Sequence, residues 1–212
     1  MNEAAQHWQR VYLEKDSSKV SWFESSPVTS LELLDSIHLT SANLTSALSL
    51  IDVGGGASTL VDTLLARGLE KLTVLDISAA ALDVAKARLG TAAERVTWLA
   101  ADITTACLPT AAYDVWHDRA VLHFLTDTDA RAAYVAALKS ALRPNGHALI
   151  AGFAPDGPRK CSGLETMRYD ALTLLEVLGA DEFSLLEQRR VQHVTPSGDT
   201  QNFTYALFKR AS

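Results

Sequence analysis

Short apolar runs of strand length alternate with helical segments from residue 48 onward, and this alternation limits the fold more than any other feature. The runs fall at 48–53, 72–75, 95–100, 113–118 and 147–153. The segments between them carry apolar residues at helical spacing, as Leu82, Ala85 and Leu89 do after Ser78. Strands that alternate with helices form parallel sheets covered by helices on both faces. The pattern therefore predicts a three-layer α/β domain.

The two ends of the chain depart from this alternation. After a helix near 170–178, two strand-like runs at about 182–194 and 201–210 follow with no helix between them, which predicts an antiparallel hairpin added to the sheet. Near the start, residues 1–46 predict a helical cap, with Trp8 at helical spacing from later apolar residues. A length of 212 residues suits one domain, which we divide into this cap and a core at 47–212.

Composition and charge disfavour several classes of protein. Hydrophobic residues make up 48% of the chain, and 19 Lys and Arg stand against 25 Asp and Glu, for a net charge of −6. No block of like charges resembles a nucleic-acid footprint, so no nucleic-acid partner is expected. The polar N-terminus lacks the apolar core of a signal peptide, and no apolar run is long enough to span a membrane, so we expect a cytoplasmic protein without a membrane partner.

The two cysteines are too few for a disulfide framework or a thiolate metal site. Cys107 is expected in the core. Cys161 follows Arg159 and Lys160, so its thiol is either one of lowered pKa or a bystander.

A glycine-rich loop follows the first predicted strand, with Asp52 just before Gly54, Gly55 and Gly56. Ligands of open α/β sheets bind at the carboxyl ends of strands, and glycine lets the backbone approach them closely. A dinucleotide fingerprint would need Gly or Ala where the chain has Thr59, and a P-loop would need a lysine that this loop lacks. Asp52 instead has the charge to meet a ligand's ammonium group.

Two further carboxylates follow the next two predicted strands. Asp76 lies 20 residues after Gly56, where an acidic residue accepts hydrogen bonds from ribose hydroxyls. Its other possible role is helix capping, for which Ser78 is better suited. Asp102 can accept a hydrogen bond from an adenine amine, and Ile103 can cover the ring. Three carboxylates at successive strand ends form a stronger pattern than any one alone.

These residues resemble those of class I, Rossmann-like S-adenosylmethionine-dependent methyltransferases, most clearly over residues 48–153. The resemblance implies a seven-stranded, mostly parallel sheet with an antiparallel C-terminal strand, S-adenosylmethionine as cofactor, and methyl transfer by in-line displacement. By resemblance, Gly54 and Gly56 lie along the methionyl part of the cofactor, Asp76 binds its ribose and Asp102 its adenine, while Ser58 stands where many members carry a third glycine. Together with the residues argued individually, the predicted cofactor-binding set is Asp52, Gly54, Gly55, Gly56, Ser58, Asp76, Ile77, Asp102, Ile103, Asp118, Arg119 and Trp22. The stretch 113–125 also resembles a subgroup of small bacterial methyltransferases, which fixes no substrate.

The reacting end of the site is expected after the fourth strand, where His117, Asp118, Arg119 and His123 cluster. His123 is a candidate general base, because the ordinary pKa of histidine lies near neutrality. Asp118 or Arg119 can orient the substrate or the methionyl end of the cofactor. His117 and Asp118 are candidate catalytic residues, or else one of them points inward as a satisfied polar group. Their spacing matches no recognised metal motif, so no metal is expected.

Two segments outside the sheet are expected to cover the site. Trp22 and Phe23 either pack the cap onto the core or close over the cofactor, and both can hold. The long segment 154–169 follows the fifth strand and has the length of a lid or binding loop.

The leading functional hypothesis is a methyltransferase acting on a small molecule, as a monomer or homodimer. One alternative is a protein methyltransferase that modifies lysine. Others are a cofactor-binding protein without transfer activity and a nicotinamide-dependent oxidoreductase, against which Thr59 argues.

Overall fold

A computed structural model describes residues 3–37 and 48–212 of the chain. Six α-helices lie in the described part: α1 (Glu3–Glu14), α2 (Val28–Ser36), α3 (Leu60–Ala66), α4 (Ala79–Leu89), α5 (Thr128–Ala141) and α6 (Ala171–Leu178). The strands are β1 (Ser49–Val53), β2 (Lys71–Asp76), β3 (Val96–Ala100), β4 (Tyr113–Arg119), β5 (Leu142–Phe153), β6 (Lys160–Cys161), β7 (Leu164–Glu165), β8 (Phe183–Val194) and β9 (Thr200–Arg210). Short 3₁₀ turns cover Gly90–Arg95 and Leu122–Phe124.

Seven of these strands form one mixed sheet in the order β3-β2-β1-β4-β5-β9-β8. The first five strands of the chain run parallel, whereas β9 pairs antiparallel with both β5 and β8. The predicted seven-stranded sheet with an antiparallel C-terminal strand is confirmed. The strand order reverses direction between β1 and β4, and ligands of such sheets bind at the carboxyl edge beside this point.

Alternate residues of β1 face two separate hydrophobic clusters, one on each side of the sheet. Leu50 packs with Leu34 of α2 and Leu64 of α3, whereas Ile51 packs with Tyr134 of α5. All five residues of β1 are buried, as expected for a central parallel strand. Burial on both faces holds the carboxyl end of β1, and so the start of the glycine loop, in a fixed position.

Side-chain contacts hold the N-terminal helices against the core. Gln9 of α1 accepts hydrogen bonds from the Ser78 hydroxyl and the Ala80 amide, both 3.1 Å long, at the start of α4. Arg67, which follows α3, forms an ion pair of 2.6 Å with Asp35 of α2. The predicted boundary between cap and core at residues 46 and 47 lies outside the described residues, so that division stays a prediction.

Three local expectations need correction. Strand β5 begins at Leu142, five residues before the run predicted at 147–153, and it passes through a left-handed backbone at Asn145 (φ +62°). Cys107 is exposed rather than in the core, because its neighbours Ala106 and Leu108 pack against the hydrophobic cluster and leave Cys107 facing outward. The segment 154–169 is not a simple loop, since β6 and β7 form a small hairpin within it.

None of the helices in the described ranges is both long enough and apolar enough to cross a membrane.

Candidate functional site

The glycine loop turns so tightly that none of its three glycines leaves space for a side chain, and a Cβ atom added to Gly54 would lie 2.0 Å from a methyl group of Val121. A Cβ atom added to Gly55 would lie 2.5 Å from Oδ2 of Asp52, and one added to Gly56 would lie 2.5 Å from Oδ2 of Asp76. Gly54 adopts φ +71°, a left-handed conformation that favours glycine. The loop therefore packs directly against two buried carboxylates, at the carboxyl ends of β1 and β2.

Asp52 is the end of a buried chain of hydrogen-bonding side chains. Its Oδ1 lies 2.7 Å from Nδ1 of His117, and Nε2 of His117 lies 2.9 Å from the hydroxyl of Ser30 on α2. The three residue types are those of a hydrolase triad, but Ser30 is completely buried and no substrate can reach it. The chain instead holds Asp52 in place, while its Oδ2 has no protein partner within the described residues.

Asp76 lines a cavity of about 360 Å³ at the carboxyl edge of the sheet. Its Oδ1 accepts a hydrogen bond of 2.8 Å from the amide of Ser78, whose own hydroxyl caps α4. Burial, supplemented by the nearby charge of Asp52, raises the pKa of Asp76 to about 7 against the opposing effect of that hydrogen bond. A buried carboxylate of this kind gains from ligand hydroxyl groups that donate to it.

Asp102 and Ile103 line the same cavity after β3. Oδ1 of Asp102 accepts hydrogen bonds from the amide and hydroxyl of Thr104, at 2.9 and 2.7 Å, which fix the direction of the carboxylate. Ile103 is buried, and Ile77 lines the cavity after β2. The structure therefore brings the residues predicted after β2 and β3 to the cavity that Gly54 also borders.

Ser58 and Gly55 lie in the wall of a smaller cavity of about 60 Å³, together with Asp52 and His117. The hydroxyl of Ser58 accepts a hydrogen bond of 3.2 Å from the amide of Leu60 and so supports the start of α3. Gly54 borders both cavities and separates them.

Arg119, at the end of β4, joins the sheet to the N-terminal segment. Its Nε donates to the hydroxyl of Tyr205 at 2.9 Å, its Nη1 donates to the carbonyl of Trp22 at 3.0 Å, and its Nη2 lies 3.1 Å from Glu24. The guanidinium also lies 4.8 Å from the ring centre of Phe203. Arg119 lines both cavities, so its charge acts on their contents as well as on the segment that it holds.

Asp118 does not reach either cavity, although it was predicted both to bind cofactor and to act in catalysis. Its carboxylate is completely buried and accepts hydrogen bonds from the amides of Val121 and Leu122 and the hydroxyl of Tyr134, at 2.8, 3.0 and 2.7 Å. Burial raises its pKa to about 6. These three donors satisfy the carboxylate and fix the turn after β4, so its role is structural.

His117 and Asp118 point to opposite faces of the sheet, because successive residues of a strand do so. His117 supports Asp52 on one face, and its side chain is about 3% exposed, so it has little access to a substrate. The alternative that one of the two residues is a buried, hydrogen-bonded polar group therefore applies to both: His117 bonds to Asp52 on one face of the sheet, and Asp118 bonds to Tyr134 on the other.

His123 lies in the wall of the larger cavity and is almost completely buried. Its Nδ1 accepts a hydrogen bond of 3.2 Å from the amide of Phe153, so the proton of the neutral ring lies on Nε2. Burial, aided by the charge of Arg119, lowers its pKa to about 3. In the neutral ring Nε2 carries the proton and Nδ1 is occupied by the amide of Phe153, so neither nitrogen is available to take a proton. This argues against the predicted role of His123 as general base.

The Nε2 atom of His123 has no hydrogen-bond partner in the described part of the chain. A buried polar group without a partner costs about 1–3 kcal/mol.

Residues 3–37 and 48–212 contain no cluster of three or more His, Cys, Asp or Glu side chains that could hold a metal ion.

Aromatic residues of the N-terminal segment border the cavity. The indole of Trp22 donates to the hydroxyl of Tyr12 at 3.1 Å and packs edge-on against Trp8, which in turn contacts Phe124. Both readings of Trp22 therefore hold in part, since it packs on neighbouring side chains and also lines the cavity. Phe23 borders the smaller cavity instead.

The hairpin of β6 and β7 contributes Cys161 and Leu164 to the larger cavity. Burial raises the pKa of the Cys161 thiol, so the alternative of a thiol activated by neighbouring lysine and arginine is wrong. Ser162 in the turn of this hairpin lies 3.3 Å from His7, which links the hairpin to α1.

Sequence reasoning missed three residues that take part in this arrangement: Tyr12, Glu24 and Tyr205. Tyr12 and Tyr205 stand at apolar spacing in a predicted helix and a predicted strand, and such spacing indicates packing and no further role. Glu24 carries no motif, and its contact with Arg119 crosses most of the first half of the chain. The sequence offers many oppositely charged pairs, and only the order of the strands shows that Glu24 and Arg119 lie close together.

Comparison with known proteins places the cavity in context. A family model described as a methyltransferase domain matches residues 50–146. Uncharacterized methyltransferases of Mycobacterium bovis and Mycobacterium tuberculosis are 42% identical over 78 residues, which are 37% of this chain. The matched segment spans 38% of the length of those relatives.

Solved structures are similar over nearly the whole chain. An S-adenosylmethionine-dependent methyltransferase from Anabaena variabilis has a TM-score of 0.76 at 15% identity and covers 99% of this chain and 96% of that one. A 1,6-didemethyltoxoflavin N1-methyltransferase from Burkholderia thailandensis, solved with S-adenosylhomocysteine, has a TM-score of 0.68 at 20% identity and covers 99% and 84%. At these identities the likeness concerns the fold.

Proposed function

We propose, from the match of residues 50–146 to a methyltransferase-domain model, that the chain transfers a methyl group from S-adenosylmethionine to a small-molecule acceptor. One observation carries this proposal: the buried carboxylate of Asp76 borders the cavity beside Gly56, where a Cβ would collide with it. In α/β folds of this kind, ribose hydroxyls donate hydrogen bonds to a carboxylate at this position, the end of the second strand.

The residues present suit S-adenosylmethionine along its whole length. Oδ2 of Asp52 lacks a protein partner and can accept from the methionyl ammonium, directly or through water. Asp76 suits the ribose hydroxyls, and Asp102 with Ile103 suits the adenine. The remaining proposed contacts are Gly54, Gly55, Gly56, Ser58, Ile77, Arg119 and Trp22. Asp118 is left out, because its carboxylate is occupied by three protein donors.

When bound, S-adenosylmethionine supplies a methyl group on a positively charged sulfur. The chain's own residues then have to hold the acceptor in line with that methyl group, and such positioning supplies about 7–11 kcal/mol in the best intramolecular cases. The rings of Trp8, Trp22 and Phe124 border the cavity. Apolar walls of this kind exclude water once ligands are bound, which strengthens the electrostatic interactions inside.

The size and walls of the cavity support a small-molecule acceptor. Its volume of about 360 Å³ lies near the lower end of the range of small-ligand pockets, roughly 300–1,000 Å³, and the cofactor takes part of that volume, so the space that is left suits a small acceptor. The N-terminal segment and the β6–β7 hairpin both contribute to its wall, which narrows the approach of a folded protein. A net charge of −6 argues against nucleic acid as substrate. The cytoplasmic location and the monomeric or homodimeric state stay predictions.

Calorimetry with S-adenosylmethionine, S-adenosylhomocysteine and NAD tests the cofactor. We expect both adenosyl ligands to bind and NAD not to bind, and tighter binding of NAD would end the proposal. Transfer of labelled methyl to metabolite pools and to proteome extracts then tests the reaction. Label in protein would favour the lysine methyltransferase alternative, and binding without transfer would favour a non-enzymatic cofactor-binding protein.

A further inference from the structure

Four titratable side chains line the larger cavity besides Asp76 and Asp102: Tyr12, Arg119, His123 and Cys161. Each of them holds its proton at neutral pH. Burial raises the pKa values of the Tyr12 phenol and the Cys161 thiol, and a guanidinium stays protonated in proteins. The hydrogen bond from Phe153 to Nδ1 of His123 leaves the proton of that ring on Nε2.

The carboxylates near the cavity are all engaged elsewhere. Asp76 and Asp102 are assigned to ribose and adenine under the proposed function, on which this inference rests. Glu24 forms its ion pair with Arg119 and lines the smaller cavity. Within the described residues, the wall next to the acceptor therefore offers hydrogen-bond donors and no group free to remove a proton.

A nucleophile that carries a proton needs a base to lose it in the transition state, whereas one with an available electron pair does not. We propose that the methyl acceptor is a small, ring-sized molecule whose nucleophilic atom, a thiolate sulfur or a heteroaromatic nitrogen, is already unprotonated at neutral pH. Alcohols and ordinary phenols are excluded as acceptors. The wall of this part of the cavity is aromatic and apolar, which favours an acceptor with an apolar ring; it is formed by Trp8, Phe124, Phe153 and Phe203.

The electrons balance without help from the protein. The electron pair of the acceptor forms the new bond to the methyl carbon, and the bond between that carbon and the sulfonium sulfur breaks with its pair retained by sulfur. A thiolate becomes a neutral thioether. A ring nitrogen becomes a cation, or loses a ring proton to water after transfer.

His123 orients this acceptor by donating a hydrogen bond from Nε2 to a second heteroatom of the molecule. Nε2 is shielded from water, has no protein partner among the described residues and belongs to a ring in the cavity wall. A ligand atom would satisfy this donor, and the hydrogen bond would select acceptors that carry such an atom.

4-Methoxythiophenol and 4-methoxyphenol form a matched pair of probes. They share a skeleton and a second oxygen that can accept from Nε2 of His123, and they differ in whether the nucleophile is substantially ionised at neutral pH. With labelled S-adenosylmethionine, and after subtraction of the rate without protein, we expect methylation of the thiol and none of the phenol. Methylation of the phenol within about tenfold of the thiol, or of neither probe, overturns the inference. A parallel titration with S-adenosylhomocysteine separates this result from failure of the proposed function, in which the nucleoside itself would not bind.

Two variants test the role of His123. In His123→Asn the amide oxygen can replace Nδ1 toward Phe153 while the Nε2 donor is lost, and in His123→Gln a donor remains near the position of Nε2. For the acceptor found in the metabolite screen, we expect KM to rise about tenfold in His123→Asn with the S-adenosylhomocysteine Kd unchanged, and to stay within about threefold of the native value in His123→Gln. Equal KM values in native protein and His123→Asn would remove this hydrogen bond from the inference.

Discussion

Nδ1 of His117 lies 2.7 Å from Oδ1 of Asp52, directly beneath the glycine loop. The contact orients the carboxylate so that Oδ2 lies against Gly55, without a protein partner in the described ranges. Ser30 completes the arrangement from α2 by its bond to Nε2 of His117. A buried carboxylate held at one oxygen and open at the other is prepared to receive one donor from a ligand.

Asp52→Asn tests this arrangement. The substitution keeps the shape of the side chain but removes the charge that meets the cofactor's ammonium group. Loss of a charged hydrogen bond costs about 1.5–3 kcal/mol, so the Kd for S-adenosylhomocysteine should rise about tenfold or more, as measured by calorimetry. Ser30→Ala is the control: it shortens the same chain of hydrogen bonds without touching the ligand, so it should lower the denaturation midpoint and leave Kd nearly unchanged. Equal effects of both variants on Kd would contradict a direct role for Asp52.

Asp76→Asn should make the ligand-free protein more stable and the cofactor bind more weakly. Because burial raises the pKa of Asp76 to about 7, the folded chain binds this proton more tightly than the unfolded chain does. The free energy of unfolding should therefore fall as pH rises from about 4 to about 7, by about 1.4 kcal/mol for each pH unit that this group controls.

Chemical denaturation of native and variant protein across that pH range measures the effect. Asp118, with a pKa raised to about 6, contributes to the same slope in both proteins, so the difference between them isolates Asp76. We expect the variant to have the shallower slope and the greater stability above pH 7. A variant less stable than native at pH 8, or one with an unchanged Kd for S-adenosylhomocysteine, would contradict the assignment.

Gly55→Ala should impair cofactor binding through the loop itself. The added Cβ would lie 2.5 Å from Oδ2 of Asp52 and 2.8 Å from a methyl group of Val74, so the loop or the carboxylate must move. Gly198→Asn in the β8–β9 turn is a matched control, because no atom lies within 4 Å of its Cβ position and asparagine tolerates a left-handed backbone. Calorimetry should show weaker binding of S-adenosylhomocysteine to Gly55→Ala and unchanged binding to Gly198→Asn. If Gly55→Ala binds as tightly as native protein, the loop is not the close-approach site.

Cofactor binding should protect the segments that border the cavity. We expect added S-adenosylhomocysteine to slow amide exchange in residues 15–26 and 154–169 more than in the terminal hairpin, since covers of this kind come from the less stable parts of a fold. The 3.3 Å contact between His7 and Ser162 already joins segment 154–169 to α1, which precedes segment 15–26. Equal protection everywhere, or protection of the glycine loop alone, would mean that these segments are ordinary packing.

Trp22→Ala gives an independent check of the same cover. Trp22 lines the cavity and contacts Tyr12, and its backbone carbonyl, which the substitution retains, accepts from Arg119. Affinity for the cofactor or turnover should therefore fall while the denaturation midpoint moves little. The opposite pattern would assign the side chain to the core.

The sequence by itself was enough to predict the order of elements, the seven-stranded sheet and the positions of Asp52, Gly56, Asp76 and Asp102. These follow from local rules. Apolar periodicity selects strand or helix, and parallel strands bring their carboxyl ends to one edge, so a residue's place after a strand already predicts its place at the site.

Only the tertiary structure decided what His117, Asp118 and His123 do. Each is a polar residue near the end of β4, and the sequence assigned all three to the reacting end of the site. Their partners are Asp52, 65 residues away from His117, Tyr134 on α5, and the backbone of Phe153 on β5. Which partner a buried polar group finds depends on the strand order and on the face that each residue occupies, and the protonation state follows from that partner and from burial. Local sequence carries none of this information, because the energies that fix it arise between segments that meet only in the folded chain.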